Sequence, residues 1–156
     1  MDKRHFRSVL GKFATGVTIV TTLENQHPKG ITANSFTSVS LEPPLVLFCL
    51  GKDSTNYQAF VVANFFAINI LSNEQTELSN KFATFDGDRF NGVNWECWET
   101  GAPILNGAIA AIDCRKKDLI DAGDHIIILG EVLRAEKLSE QDPLIYFNGK
   151  YAKIRD

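Results

Sequence analysis

A chain of 156 residues with 44% hydrophobic residues, eleven phenylalanines and two tryptophans fits one domain over residues 1–156, burying roughly 70% of the surface its unfolded form exposes. The net charge of -3, with Arg115-Lys116-Lys117 as the longest basic run, argues against charge-driven binding to nucleic acid or an anionic membrane. No window approaches roughly 18 uninterrupted apolar residues, and MDKRHFRSVLGKFATGV at the N-terminus has no apolar h-region. The three cysteines, Cys49, Cys97 and Cys114, are widely spaced and form no CxxC pair. These features predict a cytoplasmic chain with reduced thiols, Cys49 and Cys114 in the core, no structural zinc and no metal site.

In chain order, Phe6, Val9, Leu10 and Phe13 recur at helical spacing and predict a short amphipathic helix over 2–14, ended by Gly16. VTIVTTL, 17–23, is β-branched; with the polar turn ENQHPKG and GITANSF it predicts a hairpin. LVLFCL, 45–50, lies between two prolines and GKDST and reads as a buried strand. Ser54 or Thr55 is placed to cap a helix over 56–62. FFAINIL, 65–71, predicts a strand, and Leu78 and Phe82 mark a helix over 73–83.

The polar, aromatic stretch 84–101 reads as loop. AIAAIDCRKKDLIDAG, 108–123, reads as a strand with a helix as the alternative, and DHIIILGEVLRAEKL, 124–138, is the strongest strand signal. PLIYFNGKYAKI, 143–154, predicts strand, turn at Asn148-Gly149, and a second extended piece. Helices that do not alternate with strands argue against a doubly wound parallel sheet and for a mainly β fold, an antiparallel barrel with peripheral helices.

The chain has no GxGxxG, GxxxxGK[ST], GxSxG or HExxH motif. Of its three histidines, His5 and His27 fall in polar surroundings that suit the surface. His125, in AGDHIIILGE, enters a buried strand, where an imidazole either points into a pocket or is satisfied by Asp124 or a carbonyl. TANSFTSVS supplies short neutral donors and acceptors at Thr32, Asn34, Ser35, Thr37, Ser38 and Ser40. These suit either a planar heterocycle and its phosphate or a strand with one wet face.

FATGVTIVTT, GITANSFTSVSLEPPLVLFCL, ST at 54–55, NKFA at 80–83, DRFNGVNW at 88–95, GAPILNGAIAAIDC, AGDHIIILGEV and PLIYFNGKY occur in that order over nearly the whole chain. The ordered set resembles the short-chain flavin reductases, the NAD(P)H:flavin oxidoreductase components of two-component flavin-dependent aromatic monooxygenases.

That resemblance implies an FMN-binding split barrel that takes FMN or FAD and NADH or NADPH, works as a homodimer, and supplies reduced flavin to a partner oxygenase. Carried onto this chain, it places Thr32, Ala33, Asn34 and Ser35 against the flavin ring and ribityl chain, with Ser38 and Val39 continuing that wall. Cys49, Leu50, Ser54 and Thr55 would lie on the phosphate side, with Lys52 as a charge partner, and Phe82 and Ala83 would close the site. His125 would border the nicotinamide, with Tyr151 and Tyr146 as aromatic neighbours. Trp95 and Trp98 would cover the flavin or pack in the core or an interface. Two other readings stand beside it: a non-catalytic flavin-binding or redox-sensing module, and a flavin-dependent oxidase resembling pyridoxamine phosphate oxidases, which would need a basic cluster that this sequence lacks.

Overall fold

A computed structural model describes residues 1–155. The N-terminal helix α1 (Lys3–Leu10) is shorter than its apolar periodicity predicts. Asp2 caps it, its carboxylate accepting from the Arg4 and His5 amides at 3.2 Å, and Gly11 ends it. None of its residues is buried: the apolar stripe that predicted it, Phe6, Val9 and Leu10, stays about half exposed.

Strands β2 (Thr18–Glu24) and β3 (His27–Ala33) form the expected hairpin. Its turn is only Asn25-Gln26, both at positive φ, the geometry that matches strand twist in a two-residue loop. His27 therefore lies in β3 rather than in the turn. Then come β4 (Thr37–Leu41), β5 (Pro44–Gly51), helix α2 (Tyr57–Val62), β6 (Phe65–Ile70) and helix α3 (Thr76–Thr84). Neither Ser54 nor Thr55 is the cap of α2. That position is Asn56, whose amide donates to Ser54 Oγ at 3.3 Å.

The stretch read as loop contains β7 (Trp95–Cys97), which pairs with β8 (Pro103–Leu105). Residues 108–123 resolve to β9 (Ala110–Ala122), held between β6 and β10 (His125–Lys137) by ladders that no helix could make, the one to β10 shifting register at two places. The chain ends with β11 (Ile145–Phe147) and β12 (Lys150–Ala152), joined through Asn148-Gly149 at positive φ and paired with β1 (Thr15–Gly16).

The main sheet is antiparallel throughout, in the order β3-β2-β6-β9-β10-β5-β4. β3 and β4 are consecutive in the chain yet occupy opposite edges. Three residues, 34–36, span at most roughly 14 Å from the end of one strand to the start of the next, so the sheet must curl until its edges meet. Ser35 bridges the resulting seam: its hydroxyl accepts from the Cys49 amide at 2.9 Å and donates to the Cys49 carbonyl at 3.1 Å. The result is a barrel split along one side.

The barrel is filled by Val20, Ile31, Val46, Phe48, Leu50, Phe60, Phe66, Ile68, Ile126 and Ile128. Phe48 meets Phe60 and Phe66 edge-on, and burial alternates along β5 as a period-two strand requires. A second cluster, Val17, Ile19, Leu71, Phe82, Phe90, Leu105 and Leu144, fixes α3 outside the barrel. Asp113 is fully buried on β9 and accepts from the Thr100 amide and hydroxyl, tying down the loop after β7. Burial holds its carboxyl above the usual range. Among the described residues, no helix is long and apolar enough to cross a membrane.

Candidate active site

A cavity of about 520 Å³ opens at the seam. Its β3 side is Ile31, Thr32 and Ala33, continued by Asn34 and Ser35 in the link to β4. Its β5 side is Cys49, Leu50 and Gly51, followed by Asp53, Ser54 and Thr55. Phe82, Ala83 and Thr84 from the end of α3, with Asp86 and Arg89 beyond it, form the third side. His125 stands at the start of β10, opposite Gly51 in the ladder.

The short polar side chains work differently from the sequence expectation. Thr32 Oγ1 donates to the Ser79 carbonyl at 2.6 Å, Ser35 is spent on Cys49, and Ser54 accepts from Asn56. These hydroxyls fix β3, β5 and α3 relative to one another. Small residues at these positions also leave backbone groups accessible to a ligand.

Gly30 anchors the same region. Its carbonyl accepts from Asn56 Nδ2 at 2.9 Å and from an Arg89 guanidinium N–H at 3.0 Å, and a Cβ there would come within 2.7 Å of the Phe82 ring. Phe82 is fully buried and packs edge-on against Phe90.

His125 has one ring nitrogen committed. Nδ1 lies 2.7 Å from Asp124 Oδ1, and this contact holds the Asp124 carboxyl below its usual range. Nε2 faces the side-chain-free Gly51, where an added Cβ would lie 3.7 Å from it. Of the alternatives left open for this residue, the bond to Asp124 is present, and the ring also lines the cavity.

A second cavity, about 380 Å³, shares Thr32, Asn34 and Ala83 with the first. Tyr146 and Tyr151 line it, cross-strand neighbours on β11 and β12 with ring centroids 5.7 Å apart. The Tyr151 hydroxyl bonds Ser79 Oγ at 2.7 Å and Asn80 Oδ1 at 3.0 Å.

Three expected residues stand apart from both cavities. Ser38 and Val39 lie on β4, which pairs with the Pro44–Leu47 half of β5, whereas the cavity uses the Cys49–Gly51 end, roughly 10 Å further along the strand. A register shift between Ser38 and Ser40 leaves Val39 unpaired and exposed. Lys52 turns away to an ion pair with Asp121, held by the β9–β10 hairpin. The tryptophans cover neither cavity: Trp95 meets Phe90 edge-on, and Arg134 stacks on Trp98 at 4.3 Å.

Sequence reasoning missed Ile31, Gly51, Asp53, Thr84, Asp86 and Arg89. Arg89 is the one Lys or Arg lining the larger cavity among the described residues. Its Nε donates to the Phe85 carbonyl at 2.9 Å, and burial lowers its pKa. The DRF triplet was its only signal.

The family model for the flavin reductase like domain matches residues 10–155. This chain belongs to that family. The reductase subunit HsaB of a flavin-dependent monooxygenase from Rhodococcus jostii (strain RHA1) is 42% identical to it, over 99% of this chain and 79% of the relative. The FMN reductase (NADH) SmoA of Agrobacterium fabrum is 45% identical over 98% and 87% of the two chains. The structure of the NADH:FAD oxidoreductase SgcE6 of Streptomyces globisporus, in complex with NAD and FAD fragments, superposes with a TM-score of 0.93 at 40% identity, covering 99% of this chain and 93% of that one.

The seam cavity fits the family's cofactor on physical grounds. Its volume is that of a small-molecule site, Thr32, Ala33, Asn34, Ser35, Cys49 and Leu50 line it with neutral groups, and Arg89, its one Lys or Arg among the described residues, supplies the cation a phosphate would need.

Proposed function

We propose that the seam cavity is where this NAD(P)H:flavin oxidoreductase holds FMN or FAD, and that the second cavity beside Tyr146 and Tyr151 receives part of the NADH or NADPH. Bound flavin supplies the chemistry, accepting a hydride from the reduced nicotinamide and carrying the electrons on to a partner oxygenase. The chain's own residues bind, orient and exclude. Ala33, Asn34 and Cys49 set the plane of the ring on the β3 and β5 backbones. Phe82 and Ala83 limit water behind it. Ser54, Thr55 and Arg89 face the phosphate.

His125 carries the reading. A ring pinned by Asp124 through Nδ1, with Nε2 turned toward an open cavity wall, positions a second ligand against the first. It is a positioning group, because hydride transfer at near-attack distance needs no general acid.

The half-exposed apolar side chains of α1, Phe6, Val9 and Leu10, with the more exposed Phe13 just beyond it, support a homodimer that covers them. One domain over residues 1–156, working in the cytoplasm, completes the reading.

The test follows oxidation of NADH and NADPH by dialysed protein with FMN, FAD or no flavin. Oxidation that depends on added flavin is the expected result. Flavin binding without oxidation by any pairing would leave a binding module. Replacing His125 with Ala should lower the rate at saturating NADH about tenfold or more while the flavin dissociation constant moves little. An unchanged rate would remove His125 from this role.

A further inference from the structure

A third, smaller cavity, about 130 Å³, adjoins the seam cavity and shares Thr55, Asp86 and Arg89 with it. Lys29, Gly30 and Asn56 form one side, and Phe85, Gly87 and Asp88 form the other. Its space equals roughly four waters' share of liquid volume, the scale of one planar base rather than of a whole nucleotide.

Phe85 gives the cavity a chemical identity. Helix α3 ends before it, its ring remains 48% exposed, and it belongs to none of the buried clusters. The ring packs on Gly87: a Cβ there would meet it at 2.7 Å, so the absence of that side chain is what lets the ring lie down. One side of the ring is thus backed by backbone while much of the rest stays open, as in a stacking platform for a base.

The approach to the cavity is also specific. Arg89, the one cation of the seam cavity, sits at the border between the two spaces. Bonds to the Phe85 and Gly30 carbonyls hold its guanidinium there, with N–H groups left to donate. A cation at the waist, a hydrophobic platform beyond it and a carboxylate at Asp86 able to accept from an exocyclic amine are complementary to a diphosphate followed by adenine.

We propose that the Phe85–Arg89 loop is an adenylate subsite, which takes the AMP half of a dinucleotide and makes this chain prefer FAD to FMN. The proposal rests on the seam cavity holding flavin, as argued above. The adenylate of the nicotinamide dinucleotide has the same chemistry and is the other source of this moiety. The shared residues Thr55 and Arg89 continue the phosphate end of the flavin cavity, which favours the flavin as the source.

The experiment measures dissociation constants of FAD and FMN by fluorescence, and KM for NADH and for reduced nicotinamide mononucleotide, on the full chain and on two variants. Phe85→Ala deletes the platform. Gly87→Ala keeps the ring but displaces it. Each should weaken FAD binding about tenfold, the scale of one base stack, and leave FMN binding unchanged, with Phe85→Trp restoring the difference.

A rise in KM for NADH but not for the mononucleotide, with the FAD-to-FMN affinity ratio unmoved, would assign the same subsite to the nicotinamide dinucleotide. Equal binding of FAD and FMN by the unaltered protein, with no change in any of the four constants on either substitution, would overturn the proposal. Because binding is read without turnover, a failure of NADH oxidation with every flavin would strike the reductase reading alone.

Discussion

The two sides of the seam cavity are built on different principles. The β3–β5 side is backbone held by ladders, with Thr32 tying β3 to α3, Ser35 tying the β3–β4 link to β5, and the Phe82 ring packed close behind Gly30. The 84–89 side runs from the last residue of α3 into a loop, with Thr84 to Asp88 all exposed, and is tethered through side-chain bonds from Arg89 to two carbonyls. The first side is neutral and rigid and suits an unvarying ring. The second is charged and lightly held, and it can change its ligand contacts without disturbing the barrel. General chemistry sits where the fold is hardest to alter, and discrimination sits where alteration is cheap.

The largest effect should come from removing the support of the rigid side. Phe82→Ala deletes a fully buried ring, which costs about 3–5 kcal/mol in typical cores. At roughly 2–4 °C per kcal/mol for a chain of this size, the midpoint of thermal unfolding should fall by roughly ten degrees. Phe85→Ala, three residues on, should leave that midpoint nearly unchanged, because its ring is half exposed. Equal losses of stability in the two variants would break the comparison, since the loop would then be as structural as the wall.

Next comes the seam itself. Ser35→Ala leaves the Cys49 amide and carbonyl without the hydroxyl that joins them across the split. An unmet buried backbone group costs about 1–3 kcal/mol, and Cys49 is only half-buried, so the urea midpoint should drop by the lower end of that range with an unchanged slope. Affinity for flavin should fall for FMN and FAD alike, in contrast to the selective loss at Phe85. A Ser35→Ala variant of ordinary stability would mean that the barrel stays closed by its ladders and core alone.

Much of this was legible in the sequence. Short apolar, β-branched runs wrote β5, β6 and β10, and Asn148-Gly149 wrote the final hairpin, because these depend on neighbours in the chain. The Thr32–Ser35 and Cys49–Leu50 sides of the cavity were legible through an ordered set of motifs. The misses have a common cause. Whether α1 is buried depends on what lies opposite it, and no local periodicity encodes that.

Ser38 is the same residue type as Ser35, but a register shift and a distance along β5 separate it and its neighbour Val39 from the site. Lys52 looked free because Asp121, its partner, is 69 residues away. Arg89 looked like loop charge because its role arises only when β3 delivers the Gly30 carbonyl beside it.

The smallest expected effect tests the wall directly through its thiols. Burial raises the pKa of Cys49, so its reactive thiolate is scarcer than that of an ordinary thiol at any mildly alkaline pH. Cys114 is fully enclosed, and burial beside Asp113 pushes its thiol far above the ordinary range. Cys97, on β7, is exposed. Alkylation followed by mass spectrometry should therefore modify Cys97 first, Cys49 slowly and Cys114 only after unfolding. Added FMN should slow Cys49 severalfold and leave Cys97 untouched, because only Cys49 lines the seam cavity. Protection of Cys97 in place of Cys49 would move the flavin off the β3–β5 side, and the division of labour between the two sides of the cavity would fall with it.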